Sequence, residues 1–243
     1  MRASRPALSL VIPAYNEQAR LPYTLSEIEA YVCSQQLDCE VIVVDNGSRD
    51  ATSVVVQQAA SRFPRLRLLR TDRRGKGLAV RTGVLAAQGE VVIYADADLS
   101  WSVEDMPRFV AMVDARESPV VIGSREGFGA RRIGEPSYRH LMGRVFNRFV
   151  QALAVRGVED SQCGFKAFSQ SAAKAVFGLQ QVDGFGFDVE VLYLARRLGY
   201  PIKVVPLRWE HKENSSVQPL RDALLMLSDV LRVRLNGWRG AYD

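Results

Sequence analysis

The chain has 243 residues, 47% apolar and 24% charged, which is enough for the core of one large domain or two small ones and excludes a disordered chain. No unbroken apolar run exceeds the five residues of Ala223 to Leu227, against roughly 20 in a spanning helix, and Pro13 and Asn16-Glu17 interrupt the first apolar stretch; neither a transmembrane nor a secreted chain is expected. The net charge of +5 is concentrated. Arg62 to Arg81 holds eight basic residues against one acid, and Arg125 to Arg156 holds seven against two, which suits a phosphorylated or polyanionic partner. Cys33, Cys39 and Cys163 lack metal-ligand spacing and are odd in number, as in a reducing cytoplasm.

In chain order, β-branched runs predict strands at Ala7–Ile12, Glu40–Val44, Leu66–Leu69, Glu90–Tyr94 and Val120–Ile122. Amphipathic stretches between them predict helices at Glu17–Gln36, Asp50–Arg62, Gly77–Gln88 and Val103–Ala115. This alternation implies right-handed crossovers, a mainly parallel α/β sheet flanked by helices, and ligands beyond the carboxyl ends of the strands. The second half begins with a Gly- and Arg-rich loop, Glu126 to Pro136. Helices are expected at Ser137–Val155, Ser169–Phe177, Asp188–Leu198 and Leu220–Leu235, with a short segment Asp160–Phe168 and a strand Ile202–Val205. With no repeat and no evident linker, the chain reads as a single domain with a donor-binding half (1–124) and an acceptor-binding half (125–243).

Asp96-Ala97-Asp98 follows the fourth strand. In continuing β geometry its two carboxylates point the same way and can hold a hard divalent cation, Mg²⁺ or Mn²⁺, that also bridges diphosphate oxygens. Asp45 ends the second strand, where an acid can accept from a base or ribose, and Gly47 permits a tight turn. Ser48 or Asp50 can cap the next helix. Gly75-Lys76-Gly77 precedes a helix, so Lys76 and free amides can face phosphates, although such a tripeptide is also an ordinary turn.

Val11-Ile12-Pro13-Ala14-Tyr15-Asn16-Glu17, Val43-Val44-Asp45-Asn46-Gly47-Ser48, Gly75-Lys76-Gly77 and Asp96-Ala97-Asp98 together resemble the family-2 glycosyltransferases, whose fold is GT-A. Asp160-Ser161-Gln162-Cys163-Gly164-Phe165-Lys166, Phe187-Asp188-Val189-Glu190 and Arg221-Asp222…Arg232-Val233-Arg234 look like the dolichyl-phosphate glucosyltransferase branch, related to the mannose synthases; the likeness runs from about Leu8 to Leu235. The resemblance implies that Pro13, Ala14, Tyr15, Glu17, Asp45, Gly47, Lys76 and Ala97 serve the nucleotide. It implies that Asp96 and Asp98 bind the metal–diphosphate unit, and that Arg125, Arg131, Arg132 and Gln162 serve the acceptor. The chain departs from the mannose synthases in following its acids with Leu99-Ser100.

The family implies inversion by single displacement, with UDP-glucose favoured as donor and GDP-mannose the alternative. A polyprenyl phosphate is already anionic at neutral pH and needs positioning by arginines rather than a base. A hydroxyl acceptor needs a carboxylate base, for which Asp160, Asp188 and Glu190 are available, Asp188 being placed among the catalytic residues with Asp96, Asp98 and Arg125. The helices Ser137–Val155 and Leu220–Leu235 mix apolar residues with arginines and can rest on an anionic membrane, giving a cytoplasmic, peripheral protein. Trp209, His211 and Lys212–Gln218 read either as a lid over the donor sugar or as a structural tryptophan and an ordinary surface loop. A nucleic-acid partner is not expected, because no binding module accompanies the basic pI.

Overall fold

Buried strands rich in Val, Ile and Leu form the centre of the computed structural model, which describes residues 5–113, 117–212 and 219–242. The side chains of Ser137, Arg139 and residues 219–224 fall outside that description, as does most of the expected lid, residues 213–218. In the first half, β1 (Leu8–Ala14), α1 (Leu21–Ser34), β2 (Cys39–Asp45), α2 (Thr52–Ala60), β3 (Leu66–Arg70), α3 (Lys76–Ala86), β4 (Val91–Ala95), α4 (Asp105–Met112) and β5 (Val120–Ser124) alternate as the periodicity predicts. The helices are shorter than expected, and the expected continuation of α4 to Ala115 runs into residues outside the description. Then follow β6 (Arg131–Ile133), α5 (Ser137–Leu153), β7 (Phe165–Ser169), α6 (Gln170–Leu179), α7 (Phe187–Arg197), β8 (Ile202–Pro206), β9 (Arg208–Glu210) and α8 (Pro219–Trp238).

Seven strands make one sheet in the order β3-β2-β1-β4-β7-β5-β8, parallel except for β7, which runs antiparallel to both β4 and β5. Alternate side chains serve opposite faces. Leu10 and Ile12 pack with α1, α2 and α4, while Val11 packs with α3, α6 and α7. The chain turns one way from β1 to β2 and reaches β4 on the other side of β1, so the crevice between their carboxyl ends is a topological switch point.

The antiparallel β7 was not legible as a strand, yet it builds the site. Its pairing begins at Ala95↔Phe165 and continues as the Asp96 amide donates to the Gly164 carbonyl (3.0 Å). The segment Asp160–Gly164 is thereby delivered to the same sheet edge as the aspartates. The loop Glu126–Pro136 also contains a strand, because β6 pairs in parallel with β9 and sets Arg132 opposite Trp209.

Candidate active site

Beyond the carboxyl end of β4 the chain leaves β geometry at Asp96 and turns, so the two aspartates do not converge by strand alternation as the sequence suggests. A turn through Leu99, held at φ +51°, does the work instead. Asn16, at the end of β1, also has positive φ (+53°), so backbone strain sits on both sides of the switch point. Asp98 accepts the Ser100 amide (2.9 Å), and Asp96 pairs with Lys76 Nζ (2.6 Å) at the first residue of α3. Gly164 lies so close that a Cβ there would sit 1.9 Å from Asp96 Oδ2, which explains a glycine in the segment facing the acids. Burial, followed by repulsion from Asp96, raises the Asp98 pKa above the ordinary carboxylate value. For Lys76 the Asp96 and Asp188 charges outweigh burial and raise its pKa, so it stays cationic.

Asp96, Asp98 and Lys76 form one wall of a cavity of about 340 Å³. Arg125, Arg132 and Gln162 line it from the second half of the chain, as does Arg144 of α5. The Nε2 of Gln162 is buried with no hydrogen-bond partner among the described residues, so it is a donor waiting for an acceptor. Arg131 does not line the cavity: strand alternation in β6 turns Arg132 inward and leaves Arg131 exposed.

Arg125 is not a loose phosphate anchor. Its Nε and Nη2 grip both Asp160 oxygens (2.8 Å each), its backbone amide donates to the same carboxylate, and its guanidinium lies 5.3 Å from the Trp209 ring centroid. Trp209 is 8% exposed against this pair, which fits the structural tryptophan of the two readings rather than a lid. Burial of Asp160 works to raise its pKa, but Arg125 outweighs it and holds the carboxyl at about 2. Arg132 is shared between Glu126 and Glu135. Asp188 lies at the cavity floor, 2% exposed, and accepts from Lys166 and from the Tyr94 hydroxyl (2.7 Å). Glu190 lies outside the cavity lining and accepts the amides of Gln181 and Val182 and the Tyr242 hydroxyl. Asn147, which the sequence reading passed over, is buried on α5 and donates to the carbonyls of Val158 and Glu159, fixing the loop before Asp160. A polar residue facing inward from an amphipathic helix was its only signal.

The nucleotide candidates gather at the ends of β1 and β2. Asp45 takes the Ser48 amide (2.9 Å) and the Ser53 hydroxyl, and Arg70 lies 4.0 Å away. Burial works against its ionisation, but those hydrogen bonds prevail and lower its pKa. Asp45 and Gly47 line a shallower cleft of about 220 Å³ with Ser48, Asp50, Ser53, Val54, Arg70 and Thr71. Asp50 accepts the Thr52 amide at the start of α2 (3.0 Å), but the N-cap position is Ala51 and carries no side-chain cap, so neither Ser48 nor Asp50 caps the helix as the sequence suggests. The Arg74 guanidinium lies 4.1 Å from the Tyr15 ring centroid. Glu17 is raised by burial ahead of the neighbouring charges. Ala14 and Ala97 are buried, their carbonyls taken by the Asn46 amide (2.8 Å) and the Thr24 hydroxyl (2.7 Å), so they shape the strand ends rather than present groups. Pro13 holds its place in the strand through register with Val44.

Among the described residues no cluster of three His, Cys, Asp or Glu side chains makes a metal cage, and no helix is long and apolar enough to cross a membrane. Two hard carboxylates, with water and ligand phosphates completing the sphere, match the way Mg²⁺ or Mn²⁺ is held. Residues 9–177 match the model of Glycosyl transferase family 2. The chain is 35% identical over 249 residues to a human dolichyl-phosphate beta-glucosyltransferase, covering 97% of this chain and 77% of the relative. It is 33% identical over 240 residues to its Dictyostelium discoideum namesake, covering 93% and 73%. Among solved structures, glucosyl-3-phosphoglycerate synthase from Mycobacterium tuberculosis, in complex with Mn²⁺, UDP-glucose and phosphoglyceric acid, superposes with a TM-score of 0.68 at 20% identity, covering 94% of this chain and 79% of that one.

Proposed function

The chain belongs to glycosyl transferase family 2 and is a glycosyltransferase of GT-A fold, and on that premise we propose that it transfers glucose, with inversion, from UDP-glucose to a polyprenyl or dolichyl phosphate. In this reading residues 1–124 hold the donor and residues 125–243 the acceptor. The names of its relatives support glucose and a lipid phosphate, and the solved structure with Mn²⁺ and UDP-glucose supports that donor and a divalent cation.

One observation carries the acceptor class. Apart from the two aspartates, the cavity's carboxylates are mostly committed to cations: Asp160 to Arg125, Glu126 and Glu135 to Arg132, Asp188 to Lys166. Among the described residues a site so arranged lacks a buried, unengaged base beyond the two aspartates and suits a nucleophile that arrives ionised, as a phosphomonoester does at neutral pH. Among the described residues Glu159, on the exposed rim, is the carboxylate that keeps open the second reading, a hydroxyl acceptor.

The residues then divide the work. Asp45 and the ring of Tyr15 define the nucleoside end. Asp96 and Asp98 would hold the cation, which when bound neutralises charge on the departing diphosphate. Lys76, cationic and held on Asp96, faces that same diphosphate from the start of α3. On the opposite wall Arg125 and Arg132 are already paired with Asp160, Glu126 and Glu135, so they and the Gln162 amide offer the acceptor phosphate hydrogen-bond donors rather than net charge, and Arg144 adds a lining cation. Attack by the phosphate oxygen forms the new glycosidic bond as the bond to UDP breaks.

Donor identity can be measured without turnover. With Mn²⁺ present, UDP-glucose at 100 times its dissociation constant adds about 2.7 kcal/mol of stability, read as a rise in melting temperature. GDP-mannose at equal concentration is expected to give a much smaller rise. Equal or greater stabilisation by GDP-mannose would reassign the donor.

A further inference from the structure

Helix α5 carries apolar side chains on the face turned away from its own domain. Asn147 and Val150 are buried and Phe146 packs partly against the core, while Leu141, Val145 and Phe149 are 65%, 45% and 52% exposed. Tyr138 extends the stripe by one turn, and exposed Arg144 and Arg148 interleave with it. The helix contains no acidic residue. Phe128 is fully exposed at a turn between Gly127 and Gly129, both at positive φ. Glu126, two residues earlier, lies 2.9 Å from His140 Nε2 in the first turn of α5, so the Phe128 tip stands within about 7 Å of chain from that contact. Alongside, α8 packs against α5 and exposes Leu225, Leu231, Leu235 and Trp238.

Large apolar side chains grouped this way exceed the scattered exposure of an ordinary surface. Two occupants suit such a face, a second copy of the chain or a lipid bilayer, and charge separates them. A two-fold contact through this face would set Arg144 and Arg148 against their copies with no acid on the helix to neutralise them. Anionic headgroups favour each of those arginines instead. The position also fits: Met142, Gly143, Arg144 and Phe146 of α5 and Met226 of α8 line the cavity described above.

We infer that the outer face of α5, with Phe128 at its end, seats on an anionic lipid bilayer and opens the cavity onto the membrane surface. The seating stands on exposure and charge alone; its use for delivering acceptor rests on the proposed lipid-phosphate reading.

The test is flotation of the full chain with vesicles of phosphatidylcholine alone or mixed with phosphatidylserine, with no donor and no polyprenyl phosphate present. The wild type is expected to float with the mixed vesicles and to be released by salt. Leu141→Glu with Phe149→Glu should lower partitioning about tenfold or more, and Phe128→Ser should lower it in part. Tyr23→Glu, at a comparably exposed apolar position on α1, should change nothing. Arg148→Glu, a single change at an exposed position, decides the question should the double variant fail to fold. Absence of flotation, variants that float like the wild type, or a dimer that the α5 changes turn into monomer would overturn the proposal. Transfer to a short, water-soluble prenyl phosphate is scored separately: failure there sinks the reaction and leaves the membrane face standing, and the converse also holds.

Discussion

Asp98→Ala is expected to lower kcat by about 10²–10⁴-fold while leaving the protein folded. The carboxylate sits in a turn, and its hydrogen bond from the Ser100 amide is worth about 1 kcal/mol. Against that loss, alanine removes the burial of a carboxylate and its repulsion from Asp96, which in that order raise the Asp98 pKa. The variant should therefore melt close to wild type and lose the extra stabilisation that Mn²⁺ gives with UDP-glucose. Wild-type turnover in excess Mg²⁺ or Mn²⁺ would remove Asp98 from the metal–diphosphate site.

Asp160→Asn is expected to act first on stability. It leaves the Arg125 guanidinium, 19% exposed, without its carboxylate, and breaking a buried pair from one side costs about 3–5 kcal/mol. For a chain of this size that lowers the melting temperature by roughly 10 °C. The pair also sets an acid limit. Asp160 has a folded pKa of about 2 against 3.8 for the free group, so its contribution is complete above the higher value and lost as pH falls toward the lower. Thermal melts between those pH values should fall for the wild type and lose this component in the variant. Melts of the two proteins that coincide at neutral pH would show that Arg125 does not depend on Asp160. Because Arg125→Ala strands Asp160 in the same way, a raised KM for the acceptor in that variant is interpretable only beside its stability.

The alternation of β-branched runs and amphipathic stretches made the first half of the fold legible, since periods of 2 and 3.6 residues appear directly in residue order. The second half was less so, for physical reasons. β7 is a short strand whose pairing partners, β4 and β5, lie far away in sequence, and β6 and β9 are three residues each. Asp96, Asp98, Lys76, Arg132 and Gln162 were visible as motif residues, and the structure brings them into one cavity. What residue order could not show was which charges cancel. Arg125 resembled a free anion-binding group until Asp160, 35 residues away, was placed on it by β7 and the Asn147 hydrogen bonds. Arg131 and Arg132 are adjacent in sequence, and only the paired strand β6 decides that one faces the cavity and the other faces away. The stripe Leu141, Val145 and Phe149 was legible as a helix face, but whether it was buried or exposed depended on how α5 rotates onto the sheet.

The reaction itself is measured by identifying the product that purified protein forms with UDP-glucose, a polyprenyl phosphate and Mn²⁺. The expected product is a glucosyl group joined to the lipid phosphate in the β configuration, cleaved by mild acid, with UDP released in equal amount and no product when the phosphate is replaced by the free prenol. Glucose joined to a hydroxyl acceptor instead, with the polyprenyl phosphate left unmodified, would contradict it.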